Sequence, residues 1–210
     1  MSFAVPPSDR SRVESALGSC SVLSLVAGSA LGADRFDTVS MLLIEDGLVF
    51  LSASMPGAKR RIILGLAGPG SVLLPPGVDE RLEALADARL MLVPVSSNRR
   101  LLEVPAAAAA IVDGVRGSLR DCRESLTHFG SCRHADRVRL KLTQLAHTYG
   151  KVESGRLLLD LPLTHELLAD MVGSTRETVT RALAQLAHED VVRHERGRYR
   201  VTVPRETTAT

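Results

Sequence analysis

The sequence predicts an α+β fold, with a β-rich N-terminal domain, a long helix and a smaller C-terminal domain of helices and a hairpin. Three observations carry this prediction. Short apolar runs separated by Gly and Pro recur through the first half, an alanine-rich segment then repeats apolar residues every three or four positions, and two short helical patterns meet at a glycine before a basic hairpin pattern. The predicted divisions are a flexible tail at 1–12, a β-rich domain at 13–103, a long helix and hinge at 104–131, a C-terminal domain at 132–204 and a second tail at 205–210.

The β-rich domain is predicted to be a small β-roll, similar to a jelly roll, because its apolar runs are short and regularly bounded by turn residues. Residues 78–91 conflict with this pattern, since Ala, Leu, Glu and Arg favour a helix. The predicted strands lie at 41–44, 48–51, 61–64, 71–74 and 90–95, with turns at Glu45–Gly47, Pro56–Gly57 and Gly68–Gly70.

The long helix carries a heptad pattern. Pro105 suits a first helical position, and five alanines follow it. Apolar or small residues then recur at spacings of four and three, the pattern of two helices that wrap around each other. A helix that packs on its own β-roll also needs an apolar stripe, so both interpretations stay open. The predicted seam between two copies contains Ala108, Val112, Val115, Leu119, Cys122, Leu126 and Phe129, and Gly130–Ser131 is the predicted hinge.

Two short helices are predicted to meet at a tight turn in the C-terminal domain. Thr164 suits the N-cap of the first helix, and Gly173 suits a left-handed end to it. Ser174 followed by Glu177 three positions later is typical of a capping box for the second helix. After that helix, the pattern predicts a hairpin that turns near Gly197.

The second helix of this pair has an apolar side and a polar side at 100° per residue. Val179, Ala182, Leu183 and Leu186 define the apolar side. Because Arg can bind guanine and Glu can accept from cytosine in a major groove, the polar side predicts base reading in double-stranded DNA. A small helical bundle with a solvated polar side is the alternative, which the agreement of turn, cap and hairpin disfavours. The predicted base-reading residues are Arg176, Glu177 and Arg181; the predicted supporting or phosphate-contacting residues are Thr164, Ser174, Thr175, Thr178, Thr180, Arg193, Arg196 and Arg198, with Arg200 also in the hairpin.

These residues form a winged helix-turn-helix pattern, and the run LTHELLADMVGSTRETVTRALAQLAHEDVV resembles the bacterial regulators of the Crp/Fnr family. The resemblance is strong over residues 133–203 and weaker over the rest. It implies strands at 78–91 and base reading by Arg176, Glu177 and Arg181. It also implies a homodimer on a palindromic site with TGTGA-like half-sites, and RNA polymerase as a further partner. A nucleoid-type binder of low specificity is an alternative that a binding assay would distinguish.

The resemblance also predicts that the β-roll does not bind cyclic AMP. Family members that bind cyclic nucleotides use a Gly-Glu pair for the ribose and Arg-Ser-Ala for the phosphate. Here the ribose carboxylate is missing, Leu82 replaces the serine and Glu83 follows it, while Arg81 alone remains as a phosphate partner or a solvated surface charge. Two alternatives for the signal that the protein senses stay open. One is an apolar ligand in a cavity lined by Leu73, Leu74, Leu82 and Leu85, and the other is a redox signal at Cys122 or Cys132.

Composition predicts a protein of the cytoplasm without a metal, a cofactor or a catalytic site. All six His lie at or beyond His128, so the β-roll offers no imidazole for haem, zinc or a cupin-like metal enzyme, and the three Cys form no cluster. No Ser-His-acid arrangement falls in a recognisable motif. The most apolar N-terminal run, 22–31, is too short to cross a membrane, and a net charge of +2 does not by itself indicate nucleic acid.

Overall fold

The computed structural model describes residues 7–18, 20–54, 57 and 60–202. The predicted tail residues 1–6 and 205–210, the turn residue Pro56 and the domain end at 203–204 lie outside the described residues. The chain divides into two compact units, Met1–Glu124 and Ser125–Thr210. Each unit has its own sheet and is described by itself.

The described part of the first unit begins with helix. A short 3-10 turn, Pro7–Asp9, leads into α1, so residues 7–12, predicted as a flexible tail, are helical. Before the long helix, the described α-helices and strands of this unit are two short helices and six strands. In order they are α1 Arg10–Leu17, β1 Ser21–Leu25, β2 Ala30–Gly32, β3 Val39–Ala53, β4 Ile62–Ala67, β5 Val72–Leu73, β6 Glu80–Pro94 and α2 Asn98–Leu102.

The six strands form one antiparallel sheet in the order β1-β6-β3-β4, with β2 paired to β6 and β5 paired to β3. The predicted β-roll is therefore confirmed. The predicted turn at Glu45–Gly47 is wrong, because β3 continues through these residues with shifts in its register against β6. Gly47 has φ 81°, and a Cβ there would lie 2.0 Å from the Asp87 backbone oxygen. Glycine thus allows a bulge where β6 passes close by, and the strand does not turn back.

Strand β6 forms over residues whose composition favours a helix, in agreement with the implied strands at 78–91 and 90–95. Its side chains alternate between the two faces of the sheet, and one face buries Leu82, Ala84, Ala88 and Leu90. Pairing with β3 along most of its length satisfies its backbone. Tertiary burial at a two-residue period therefore overrides the local helical preference.

Two apolar clusters lie on opposite sides of this sheet. The inner one, within the roll, includes Leu42, Ile44, Leu73, Leu82 and Leu90. The outer one lies between the sheet and the helices, where α1 and α2 cover β3 residues Met41 and Leu43.

The long helix α3, Pro105–Ser131, begins at the predicted residue and has two different apolar faces. One face packs on the outer cluster through Ala107, Ala110 and Ile111. Gly114 continues this face, since a Cβ there would lie 2.8 Å from the Cβ of Val72. The other face is exposed and carries four of the predicted seam residues: Val112, Val115, Leu119 and Leu126, which are 36–63% exposed.

The predicted hinge lies slightly too early. Gly130 and Ser131 are still helical, and the break falls at Cys132 and Arg133, before α4 begins at His134. Glycine does not end the helix here, because the Ser131 hydroxyl and the Cys132 N–H both donate to carbonyls one turn earlier.

The second unit has three helices and a four-stranded antiparallel sheet in the order β7-β8-β10-β9. The first two strands form a tight hairpin, in which Ser154 and Gly155 adopt positive φ between β7 and β8. Its elements are α4 His134–Tyr149, β7 Lys151–Glu153, β8 Arg156–Leu159, α5 His165–Val172, α6 Arg176–His188, β9 Val192–Glu195 and β10 Arg198–Val201. We call the β9–β10 hairpin, residues 192–201, the wing.

Candidate nucleic-acid interface

Both ends of α5, the helix that precedes the turn, form as the sequence predicts. The Thr164 side chain caps α5 by accepting from the Leu167 N–H at 3.0 Å. Gly173 ends the helix in the left-handed conformation, with φ 58° and ψ 46°. The Ser174 N–H then donates to the Ala169 carbonyl at 2.9 Å, which satisfies the end of α5.

The predicted capping box of Ser174 and Glu177 is wrong by one residue. Because the Ser174 N–H closes α5, the cap of α6 falls on Thr175, whose hydroxyl accepts from the Thr178 N–H at 3.0 Å. The Ser174 side chain is buried and lies 3.0 Å from Nδ1 of His134 on α4. Ser174 therefore has a structural role in the turn. Glu177 takes no part in the cap and stays exposed.

The exposed side of α6 carries the predicted base-reading residues together. Arg176, Glu177, Thr180 and Arg181, which we call the recognition face, are all exposed, while the predicted apolar side of the helix is buried. Among the described residues, the side chains of Arg176, Glu177 and Arg181 have no hydrogen-bond or ion-pair partner. These three side chains are thus available for an external partner.

Thr180 differs from the rest of the recognition face because its hydroxyl is occupied. It donates to the Arg176 carbonyl at 2.9 Å and lies 2.9 Å from Nδ1 of His165. This agrees with a supporting role for Thr180. The sequence pattern did not indicate His165, since only the fold brings the first residue of α5 to the middle of α6.

The wing turns at Arg196 and Gly197, which adopt φ 51° and 78°, so the predicted turn position is correct. Its arginines are less free than the sequence alone indicates. Three of the four lie in ion pairs within the chain: Arg193 with Asp190 at 2.9 Å, Arg198 with Asp160 at 2.9 Å, and Arg200 with Glu153 at 2.9 Å and Glu195 at 3.4 Å. In the described part of the chain, Arg196 has no such partner.

Asp190 anchors the base of the wing. It accepts from Arg156 at 2.5 Å and from Arg193 at 2.9 Å. These two hydrogen bonds are the main cause of a pKa for the Asp190 carboxyl below its ordinary value. Asp190 thus stays ionised and holds the wing against β8.

A second histidine extends the interface onto the wing. His194 in β9 stacks on Tyr199 with ring centroids 4.3 Å apart, and its centroid lies 6.0 Å from that of His165. Tyr199 is fully buried and donates to the Leu163 carbonyl at 3.2 Å. Burial raises the Tyr199 pKa to about 12, so the phenol keeps its proton.

The end of α3 packs against the same turn within the second unit. Arg137 on α4 donates to the Val172 carbonyl at 3.0 Å, and its guanidinium lies 5.8 Å from the centre of the Phe129 ring. A Cβ on Gly173 would lie 3.3 Å from this ring. Phe129, predicted in the seam, therefore packs half-buried inside its own chain because the glycine turn leaves room for an aromatic ring.

Leu82 and Glu83, which stand where the resemblance implies phosphate-binding residues, lie on opposite faces of the β-roll sheet, and the neighbouring Arg81 is exposed. Leu82 is completely buried in the inner cluster. Glu83 is on the other face of the sheet, where it accepts from Ser52 and pairs with Arg61. Leu74 is 57% exposed and does not line the inner cluster, contrary to the predicted apolar lining.

The cysteines and metal-binding side chains form no combined site among the described residues. Cys20, Cys122 and Cys132 are free thiols, each half-buried. Burial raises the pKa of the Cys20 thiol, against a smaller lowering by Arg100. Within the described part of the chain, no three His, Cys, Asp or Glu side chains come close enough to share a metal ion. None of the described helices combines the length and apolarity that a membrane span needs.

Together, a β-roll followed by a long helix and a winged helix-turn-helix define a two-domain protein of the type found among bacterial regulators. Residues 136–207 match the family model of the Crp-like helix-turn-helix domain. A 59-residue segment is 46% identical to the CRP-like cAMP-activated global transcriptional regulator of two strains of Mycobacterium tuberculosis. That segment covers 28% of this chain and only 26% of those relatives. These two matches confirm that the C-terminal domain is similar to that of the Crp/Fnr family, as the sequence resemblance implied.

Solved structures share the fold along most of the chain. A CooA mutant from Carboxydothermus hydrogenoformans has a TM-score of 0.76 at 17% identity, covering 88% of this chain and 84% of that one. The c-di-GMP-responsive regulator CLP of Xanthomonas campestris has a TM-score of 0.73 at 17% identity, covering 93% and 100%. A CRP/FNR-family regulator of Thermus thermophilus has a TM-score of 0.67 at 24% identity, covering 86% and 93%. At these identities the likeness concerns the fold.

Proposed function

We propose that this protein is a sequence-specific DNA-binding transcription regulator. The observation that carries the proposal is the recognition face, where two guanidinium groups and one carboxylate stand exposed and unpaired at the start of α6. A major groove admits a helix and presents guanine acceptors to Arg and a cytosine donor to Glu. Arg176, Glu177 and Arg181 are the base-reading residues in this proposal.

The preferred site is a palindrome with TGTGA-like half-sites, and the active species is a homodimer. The exposed stripe of α3 supports the dimer, because four apolar side chains at heptad spacing have no cover within the described chain. A second copy of the same stripe would bury them in a coiled coil. Two copies related by a two-fold axis then place their recognition helices in successive major grooves, about 34–36 Å apart.

DNA binding in this proposal needs no cyclic nucleotide. The Mycobacterium tuberculosis relatives are described as cAMP-activated, but their match covers only 59 residues of this chain. Here Leu82 is buried in an apolar cluster and Glu83 is neutralised by Arg61. These features support a regulator that is competent without cyclic AMP.

Selection of bound duplexes from a random pool tests the proposal with the full-length protein. We expect enrichment of a two-fold symmetric sequence with TGTGA-like half-sites, and the same enrichment with and without cyclic AMP. Equal recovery of all sequences would instead show a nucleoid-type binder. Transcription in vitro from a promoter that carries the selected site, with purified RNA polymerase, then tests whether binding regulates initiation.

A further inference from the structure

His165 and His194 form a pair of imidazoles beside the recognition face. His165 is the first residue of α5 and is half-buried, whereas His194 lies exposed in the wing. Their ring centroids are 6.0 Å apart at an interplanar angle of 51°. The stacking of His194 on buried Tyr199 fixes one ring, and the contact of His165 with Thr180 fixes the other. The pair thus joins α5, the recognition helix and the wing.

The hydrogen bonds of Thr180 determine which nitrogen of His165 is free. A hydroxyl has one proton, and that of Thr180 goes to the Arg176 carbonyl. Nδ1 of His165 therefore donates to Thr180, 2.9 Å away. In the neutral ring, Nε2 is then unprotonated and cannot donate to an anion.

In the described part of the chain, no carboxylate bonds to either imidazole of the pair. On the wing, Arg200 pairs with Glu195, while Arg193 pairs with Asp190 at its base. The charged groups on the elements that carry or contact the pair are Glu166 and Asp170 on α5, Arg176, Glu177 and Arg181 on α6, Arg193 and Glu195 on β9, and Arg198 and Arg200 on β10.

These surroundings disfavour the charged form of His165 in the free protein. Partial burial, then the nearby His194, and then Arg176 lower the pKa of His165 below its ordinary value of 6.5. A phosphate placed against the pair would act in the opposite direction, since an anion within hydrogen-bond distance favours imidazolium.

We propose that His165 and His194 together bind one phosphate of the DNA backbone, and that His165 takes up a proton from solvent on binding. The proposal rests on the proposed function and adds a contact that is linked to pH. Protonation gives Nε2 of His165 a hydrogen that it donates to a phosphate oxygen in a charge-assisted hydrogen bond. Because the bound complex holds more protons than the free protein, affinity rises as pH falls, by up to about tenfold per pH unit for each proton taken up.

Fluorescence anisotropy with the full-length protein tests this inference at fixed ionic strength between about pH 5.5 and pH 8. The probes are a palindromic duplex with TGTGA half-sites and an unrelated duplex, because a phosphate contact acts on both. The test variant combines His165→Gln and His194→Gln, since glutamine donates hydrogen bonds but does not titrate in this range. The matched control combines His147→Gln and His188→Gln, two exposed histidines elsewhere in the second unit.

We expect the affinity of the wild type and of the control to rise by roughly tenfold between about pH 7.5 and pH 6. The test variant should bind with a nearly flat pH profile on both duplexes. A test variant that keeps the wild-type slope overturns the proposal, even if its affinity is lower at every pH. If the wild type binds neither duplex at any pH, the proposed function itself fails, and that result is distinct from a flat profile in a protein that binds.

Discussion

At the scale of single residues, the availability of Glu177 depends on which side chain caps α6. Thr175 takes the cap, so the Glu177 carboxylate has no hydrogen bond in the described chain and remains exposed. We predict that Glu177→Ala weakens specific binding by about 1–3 kcal/mol and relaxes the preference at one G·C pair in each half-site. Anisotropy with duplexes substituted at each position measures both effects.

The matched control for this change is Glu166→Ala, which removes an exposed acid from α5 instead of α6. It should leave the base preference unaltered. Should Glu177→Ala retain the wild-type preference at every position, the assignment of Glu177 to base reading is wrong.

The wing arginines offer a second prediction at this scale. Arg196 has no ion pair in the described chain, whereas Arg198 forms an ion pair with Asp160. A free guanidinium needs no exchange of partner when it meets a phosphate, so Arg196→Ala should weaken all duplexes alike and reduce the slope of log K against log salt by about 1 per wing. Arg198→Ala should reduce the slope less. A larger reduction of the slope by Arg198→Ala than by Arg196→Ala would contradict the argument that the unpaired arginine contacts phosphate more readily.

The cap of α6 was predicted one residue too early because its position depends on a residue far away in the sequence. Ser174 and Glu177 match the spacing of a capping box, and the pattern correctly predicted a turn, its glycine and the exposed side of α6. The register of the cap depends on His134, which lies 40 positions away and holds the Ser174 side chain in the interior. The same reason explains why the ion pairs of the wing and the His165–His194 pair could not be predicted.

At the scale of elements, α3 has one apolar face for each of the two interpretations that its pattern left open, which are packing on its own β-roll and pairing with a second copy. Ala107, Ala110 and Ile111 pack on the β-roll, while Leu119 and its heptad neighbours remain exposed. The spacing of either stripe is compatible with either partner, so the pattern could not say which stripe faces the roll.

The roll-facing side of α3 predicts opposite effects for two glycines. Gly114→Ala brings a Cβ to 2.8 Å from the Val72 side chain, and overpacking of this kind costs about 1–3 kcal/mol. A Cβ on Gly117 would have no neighbouring atom within 4 Å, so Gly117→Ala should stabilise the helix by about 0.5–1 kcal/mol. Urea unfolding of both variants measures the difference. A stabilising Gly114→Ala would show that α3 does not pack closely on β5.

The exposed side of α3 predicts the effect of a charge in the seam. Leu119 is 56% exposed in the single chain, and a dimer would bury it against its symmetry mate. Leu119→Asp then places two carboxylates at the two-fold axis, where desolvation costs roughly several kcal/mol per ion. We expect analytical ultracentrifugation to show a monomer that no longer binds the palindrome.

Ser118→Asp is the control, because it adds the same charge at an exposed neighbour outside the stripe. This variant should remain a dimer. An intact dimer for Leu119→Asp would exclude this stripe as the seam, although the fold would be unaffected.

At the scale of the whole molecule, strand positions were less predictable than the order of the domains. The regular turns indicated a β-roll, but β3 passes through a predicted turn and β6 forms against its composition. The two long strands β3 and β6 pair with each other, and the paired residues lie between 27 (Ala53 and Glu80) and 55 (Val39 and Pro94) positions apart in the sequence. Pairing at that distance has no local signature, so composition and turn residues alone misplace such strands.

The last prediction concerns the β-roll as a sensor: titration calorimetry with cyclic AMP and with cyclic GMP should detect no binding. A buried cyclic nucleotide needs partners for its ribose hydroxyls and donors for its phosphate, and each unsatisfied buried polar group costs about 1–3 kcal/mol. Leu82 packs in the inner cluster without a donor, and Pro75 and Pro76 have no N–H to offer.

Glu83 does not supply the missing ribose partner, because its carboxylate is already bonded to Ser52 and Arg61 on the opposite face of the sheet. The same protein preparation should bind the palindromic duplex with equal affinity whether or not cyclic AMP is present, which shows that the calorimetry sample is active. Micromolar binding of either nucleotide, coupled to tighter binding of the duplex, would mean that the roll opens its inner cluster to a ligand and that buried Leu82 is displaced when it does.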